Sequence, residues 1–532
     1  VSQEQTHVIK SAGGLDTTAS TIEMFDTPGA ATRLINMEVS RNGGYKRISG
    51  YSKFGSTTPT GATAPILGLH KYADGGLAAQ STGIYFSDDG VTWIQINKDN
   101  AETGLDLTAL NAEAALPRTS QGRNSISHYD GNEEYGILSF CDGVNKVAQV
   151  KITDIGGRKY HYWELEVASG APQAPQYATS YKERLILAGD ASSKSTVYWS
   201  NRFDVTDFTG ASAGAVDVGD IITGLKSHRD ILYVFCRDSI HRISNLDGAP
   251  KRELVTRKVG CISGWSIQEV AGDLLFLAPD GLRTIAGTDR IADIEMSSVS
   301  SKINNLISGI VSGLSTFDIN SLVVRESNQY RLYYSSDAQD STIQRGIIGT
   351  LINRNGNTTW EWSETTGIEV SSITSEVQSS GTEISYHGDY DGFVYTHNSG
   401  ASFDGASVKA TYKTPDMSLG STGDRKTLYS VKLSMEASAT AEGLGMTLRY
   451  DFSNPNQHHP DTYYFETVYP AAEWGVMVWG ASYWGSTGTP LLKMNVEGSG
   501  SSASLQFITD DTTSQYTING LYIDTSHSGR LD

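Results

Sequence analysis

The sequence predicts an all-β chain, with a β-propeller of six to eight blades followed by an antiparallel β-sandwich. Three observations carry that reading. Glycine supplies 55 of 532 residues and proline only 13, which suits many tight turns. Aromatic residues make up 9% of the chain, and 27 of them are tyrosines, which favour pleated, half-buried strands. A unit of apolar strand, polar Gly/Asp turn and second apolar strand also recurs at roughly 45–60 residues, the spacing of four-stranded blades. The organisation that follows is an N-terminal segment of strands at 1–60 that docks or completes a blade, a propeller at 61–400 and a sandwich at 401–532.

The repeated units are read in chain order. They are ILGLHKYADGGLAAQSTGIYFS (66–87), ISHYDGNEEYGILSFCDG (126–143), YATSYKERLILAGDASSKSTVYWS (177–200) and ITGLKSHRDILYVFCRDSIHRIS (222–244). Then come SIQEVAGDLLFLAPDGLRTIAG (266–287), LVVRESNQYRLYYSS (322–336) and ITSEVQSSGTEISYHGDYDGFVYTHN (373–398). Each blade must bury both faces against its neighbours, so the copies are stable only together. Two stretches read as helix. In 296–310, Val299, Ile303, Leu306, Ile307 and Ile310 fall at helical spacing behind serines able to cap the start. In 105–116 the pattern is weaker and stops before Pro117. Past Gly400 the pattern becomes strict alternation. Tyr429, Val431, Leu433 and Met435 form the inward face of one strand, and further strands are read at 446–453, 462–469, 491–498, 503–510 and 516–525.

Composition excludes several classes. Charged residues are 19% of the chain, with 41 Lys+Arg against 60 Asp+Glu and a formal charge of -19. An acidic disordered chain would carry fewer aromatics and more charge. A protein that wraps nucleic acid needs clustered cations. No run approaches the ~18 apolar residues of a membrane span, and VSQEQTHVIKSAGG lacks the apolar core of a signal peptide. Cys141, Cys236 and Cys261 are odd in number and widely spaced, as in a chain assembled in a reducing cytoplasm without disulfides.

Candidate sites are few. SDDGVTW places Ser87, Asp89, Gly90 and Trp93 as in the Asp-box turn of sialidase-like propellers, one residue short. It reads as a folding device, in which Ser and Asp side chains bond local backbone. Trp474, Trp479 and Trp484 repeat every five residues in EWGVMVWGASYWG, either packed on the sandwich or forming an exposed contact surface. Lys251, Arg252, Arg257 and Lys258 are the one compact basic stretch, a solvated strand edge or a DNA-proximal patch. Asp389 and Asp391 precede Gly392 in a hairpin-turn pattern that lacks the later ligands of a calcium loop. His458 and His459 are adjacent and point apart. No Walker loop or HExxH is present, and no catalytic residue, cofactor or metal is expected.

Five stretches carry a resemblance. TRLINMEVSRNGGYKRISGYSKFG (32–55), 197–244, VGCISGWSIQEVAGDLLFLAPDGLRTIAG (259–287), 414–436 and 496–530 resemble the nozzle or hub proteins of short-tailed phages, also called tail tubular or DNA-stabilisation proteins. The resemblance implies a structural virion protein, not an enzyme, made in the host cytoplasm and located in the tail. It implies a ring of copies, usually six, joined to portal and adaptor proteins and offering surfaces to fibres or spikes. Double-stranded DNA would pass through that ring without specific binding. Six copies at -19 each come to -114, a wall that repels phosphate. The alternative expectation is a carbohydrate-active propeller, of depolymerase or sialidase type, or a glycan-binding receptor module.

Overall fold

The computed structural model describes residues 4–72, 75–80, 83–96, 105–106, 122–129, 136–154, 159–286, 298–313, 317–336, 344–354, 356–377, 381–420, 423–437, 443–465 and 491–530. The chain is all-β, and its described residues form eight sheets, with a five-blade β-propeller arrangement. The five full blades are sheets I–IV and VII. Sheet I runs Ile66–Tyr72, Gly75–Gln80, Gly83–Ser87 and Ile94–Gln95. Sheet II runs Ser125–Tyr129, Ile137–Cys141, Ala148–Asp154 and Lys159–Glu164, with Leu105–Asp106 at its outer edge. Sheet III contains Tyr177–Tyr181, Arg184–Asp190, Ser193–Trp199 and Gly214–Asp217. Sheet IV contains Ile222–His228, Ile231–Cys236, Ile240–Ser244 and Lys251–Thr256. In each, neighbouring strands pair antiparallel, because short polar turns allow nothing longer than a hairpin.

Sheet VII is assembled differently. Ser372–Val377, Glu383–Gly388 and Val394–His397 follow one another, but its fourth strand is Tyr51–Lys53 from the N-terminal segment. Sheet V has three strands, Gln268–Val270, Asp273–Ala278 and Gly281–Thr284. Sheet VI has nine. Phe317–Val324, Gln329–Ser336, Gln344–Arg354 and Asn357–Thr366 pair in order, and Arg33–Ile35 then joins them to Val408–Lys413, Ala503–Asp511, Gly445–Tyr450 and Tyr463–Tyr464. Ile35 lies parallel to Glu364, and Arg33–Ile35 runs antiparallel to 411–413. Sheet VIII carries Met37–Val39, Tyr45–Arg47, Tyr516–Arg530, Asp424–Ala437 and Leu491–Asn495, with Glu4–Lys10 and Ser499–Gly500 added at its sides.

Buried clusters join the sheets pairwise. Phe86 and Ile94 meet Leu138 and Tyr160 between I and II; Cys141 and Leu187 share a cluster between II and III. Val197 meets Leu232 between III and IV, and Phe235 meets Phe276 between IV and V at a ring separation of 5.2 Å. Leu277 and Val323 share the large cluster of V and VI. Tyr333 and Ile348 pack with Val370 between VI and VII, and Tyr386 and Val394 pack on Ile66, returning to sheet I. The same large cluster holds Tyr412, Leu448 and Phe507 of sheet VI with Val431, Leu433 and Ile523 of sheet VIII. Trp362 is fully buried there, its indole donating to the Val299 carbonyl at 3.0 Å.

Several expectations need adjusting. The helix is Asn304–Ser312, entered through a 3₁₀ turn at Ser301–Ile303; no serine side chain caps it, and burial of Ile307 and Ile310 holds it instead. Leu105–Asp106, expected in a helix, is a strand because it pairs with Lys159 and Tyr160; 107–116 lies outside the described residues. A register shift between Leu428 and Ser430 turns Leu428 inward and leaves Tyr429 exposed, breaking the expected alternation at its first member. Strands from 1–60, expected to dock or complete a blade, lie in VI, VII and VIII. Among the described residues, no helix is long and apolar enough to cross a membrane.

Candidate functional site

The first strands of sheets I to VII converge on one cavity of about 640 Å³. Convergence forces small residues at the contact points. A Cβ on Gly68 would lie 2.7 Å from that of Asn124, and one on Gly224 would lie 2.5 Å from Ile267 Cδ1. Hydroxyl side chains such as Ser127, Thr179 and Ser321 line much of the remainder.

Where these strands begin, the cavity is closed by Arg123. Its guanidinium stacks 4.5 Å over the Trp265 ring, donates to the Ile319 carbonyl at 2.7 Å and to Asn320 Oδ1, and stands 3.8 Å from Asp318. Asp318 in turn accepts from the Tyr390 hydroxyl at 2.9 Å. Burial lowers the Arg123 pKa and Asp318 opposes the shift. Every one of these contacts is already satisfied within the protein, so this end is a plug.

Where the strands end, the cavity holds Lys226, Glu269 and Arg325. Arg325 is held by Glu383 at 3.2 Å, and Glu383 also accepts from Ser375 Oγ at 2.8 Å. Burial lowers the Lys226 pKa, Glu269 raises it and Arg325 adds to the lowering. His70 stands edge-on to His128 at 5.5 Å, and burial, with His128 second, lowers its pKa to about 3. The two carboxylates lining the cavity are Glu269 and Glu376. The carboxyls whose pKa burial raises, Glu364, Glu369, Asp389 and Asp416, lie away from it. The lining is rich in hydrogen-bonding groups, and no carboxyl that burial raises is part of it.

The sequence candidates are placed as follows. Gly90 N–H donates to Ser87 Oγ at 2.8 Å, while Val91 and Thr92 N–H groups donate to Asp89 Oδ1 at 2.8 and 2.9 Å. Trp93 donates to the Thr57 carbonyl at 3.2 Å and meets Phe54 edge-on, fastening sheet I to the N-terminal segment. Lys251, Arg252, Arg257 and Lys258 lie on or just beyond the outermost strand of sheet IV, far in pairing order from the cavity. Lys251 pairs with Glu253, and Arg252 donates to the Asp217 carbonyl at 2.8 Å. Trp474, Trp479 and Trp484 lie outside the described residues. Asp389 accepts from the Gly392 and Phe393 amides and the Tyr395 hydroxyl, holding the hairpin turn. His459 lies between the Tyr450 amide and the Asn454 carbonyl. Among the described residues, no group of three metal-type side chains converges.

Sequence reading missed two clusters, the Arg123 plug and a buried set around Arg331. Glu38 Oε2 accepts from Arg331 at 3.0 Å and from Gln329 at 3.1 Å. His397 Nε2 takes the Tyr333 hydroxyl at 2.9 Å, and its Nδ1 lies 3.2 Å from His387 Nδ1. Part of this was findable, because the hairpin pairs His387 with Tyr395 and puts His397 one diagonal step away. The contact with Glu38 spans 293 residues and has no local signal.

No family model matches the chain, and neither does any curated protein. Solved structures similar to it include BBS1N in complex with ARL6DN, at 8% identity and a TM-score of 0.37, covering 68% of this chain and 97% of that one. The exo-β-1,3-galactanase from Phanerochaete chrysosporium, at 11% identity and a TM-score of 0.26, covers 90% and 100%. The AfRom2 CNH domain, at 10% identity and a TM-score of 0.35, covers 66% and 98%. These likenesses carry nothing about chemistry.

Proposed function

We propose that this chain is a structural subunit of a short-tailed phage tail, of the nozzle or hub type, built from a seven-bladed propeller and a β-sandwich. The seven-blade reading rests on the ring of buried clusters from sheet I through VII and back to I, with sheet V and the first four strands of sheet VI as two further blades. The sandwich reading rests on the core shared by sheet VIII and the distal strands of sheet VI.

One observation favours a scaffold over a catalyst. Four of the side chains that sequence offered for chemistry are spent on folding: Ser87 and Asp89 in a turn, Asp389 in a hairpin, His459 in a loop. The cavity, at about 640 Å³, suits a small solute and excludes a duplex. DNA would therefore run through a ring of copies, beside the propeller axes. Copies would meet through heterologous contacts that close by rotation, with portal and adaptor above and fibres or spikes outside. Purified chain mixed with portal and adaptor should give rings by electron microscopy. A chain that stays monomeric and unbound in that mixture overturns the proposal.

The cavity's hydroxyls and Glu269 and Glu376 keep a second reading, a carbohydrate-active or glycan-binding propeller. It requires release of reducing sugar from, or saturable binding to, host polysaccharide.

A further inference from the structure

We propose that the seam closed by Tyr51–Lys53 is an acid-released latch, in which protonating the His387–His397 pair frees the N-terminal strand from sheet VII while the other blades stay closed. Donor and acceptor inventory carries the argument. Both histidines are buried, at 1% and 4% exposure. Arg331 Nη1 faces His397 Nε2 at 3.5 Å and can only donate, so Nε2 must be an acceptor and Nδ1 must carry the proton. That Nδ1–H points at His387 Nδ1, which must then accept. Each ring in the pair therefore has one fixed tautomer, and each free nitrogen is already an acceptor.

An added proton brings a charge that no neighbour compensates. On His397 Nε2 it would face the Arg331 guanidinium; on His387 Nδ1 it would face the His397 N–H. Tyr333 can rotate its hydroxyl to accept, but Arg331 cannot. The surroundings offer no spare anion. From Met37–Val39 comes Glu38, engaged by Arg331, Gln329 and Lys46. From Gln329–Ser336 come Arg331 and Tyr333. From the hairpin come Tyr395, which stacks on His387 at 5.0 Å, and Asp389, engaged by two amides and that tyrosine. From the closing strand comes Tyr51, edge-on to His387 at 4.9 Å, and Lys53, paired with Asp404. Glu383, which acts on Arg331 at longer range, is held by Arg325.

Burial lowers both histidine pKa values, that of His387 to about 3, with His387 and Arg331 adding to the shift on His397. The sign follows. A group depressed in the folded state binds protons first in the open state, so closure is fully stable above about pH 6.5 and weakens below it. Burial raises the Asp389 pKa, which works the other way and cannot open the seam in acid. What opens is a short attachment, three residue pairs between Tyr51–Lys53 and 395–397.

Hydrogen exchange on the full chain at pH 7 and pH 5, corrected for intrinsic rates, tests this. Peptides over 47–55 and 383–398 should show opening increased by about 25-fold if one histidine is released and about 600-fold if both are. Peptides over 184–199, whose sheet holds no buried histidine, should change less than about threefold over the same range. The His387→Gln/His397→Gln variant should lose the pH dependence at the seam. Equal changes in seam and reference, no change at the seam, or a double variant that keeps the wild-type slope each overturn the proposal. If the variant does not fold, the wild-type contrast decides alone.

Discussion

Sheets IV and VII have the same strand number and opposite construction. All four strands of sheet IV come from one continuous stretch, 222–256, so each pairing closes a short loop. Sheet VII takes three strands from 372–397 and the fourth from Tyr51–Lys53, more than 300 residues away. Lengthening that loop by about five doublings adds about 3 kcal/mol of closure entropy. Sheet VII also holds the buried polar side chains of the ring closure, whereas sheet IV is sealed by Leu232, Val234, Phe235 and Ile240. Buried polar contacts in sheet IV, such as Ser239 with His241, join residues close in sequence, whereas those at the closed seam join distant strands and specify which strand may dock. The closing strand then depends on neighbours that sheet IV does not need.

The largest test of this contrast is a charge deletion on each side. Arg331→Met leaves Glu38 buried opposite no guanidinium and should cost about 3–5 kcal/mol, read as a fall in the denaturation midpoint. Arg242→Met, which removes the solvent-facing pair with Glu253 in sheet IV, should leave that midpoint unchanged. Equal losses would sink the distinction.

Buried thiols give the next test, from the sheet IV side. Burial pushes Cys236 and Cys261 up to about 12. Alkylation of either at pH 8 should run about 1,000-fold slower in the native chain than in denaturant, because the thiolate is scarce and the sulfur enclosed. Comparable labelling rates would mean that sheet IV opens as readily as the seam.

A smaller effect separates two glycines of like backbone. Gly55 and Gly90, at φ +79° and +70°, approach so closely that a Cβ on Gly55 would lie 1.9 Å from the Gly90 carbonyl oxygen. Gly55→Ala should cost about 3 kcal/mol from left-handed strain and overlap together. Gly219, beside sheet IV at φ +80°, has nothing within 4 Å of such a Cβ, so Gly219→Ala should cost only the strain, about 1–2 kcal/mol. Thermal melts of the two variants compare them directly. The smallest effect belongs to the basic stretch. Neutralising Lys251, Arg252, Arg257 and Lys258 should leave the melt unaltered and, in the tail proposed above, leave DNA retention unaltered. A loss of retention would make this edge a phosphate contact.

What the sequence disclosed tracks how local each interaction is. The hairpins at 177–200 and 222–244 were legible because their strands and turns are adjacent, and the Ser87–Asp89 turn because its bonds reach two or three residues. Alternation read Val431, Leu433 and Met435 correctly and failed at Tyr429, where one shifted residue reverses the face. Nothing in Arg33–Ile35 announces that it lies between 357–366 and 408–413, since three residues carry no periodicity. Arg331 is as opaque, because it looks like any outward residue of a strand until Glu38 arrives from the other end of the chain. Cavity-lining residues such as Lys226 were illegible for the same reason, each being one member of a set drawn from seven separate strands.

Arg33–Ile35 has a consequence for heredity. A recombination joint near residue 400 would deliver strands 408–413 and 503–511 without the strand that pairs beside them, and Tyr516–Arg530 without its partners Glu4–Lys10 and Tyr45–Arg47. Swapping the distal module between relatives therefore requires two crossovers, one early and one late, in compatible genes.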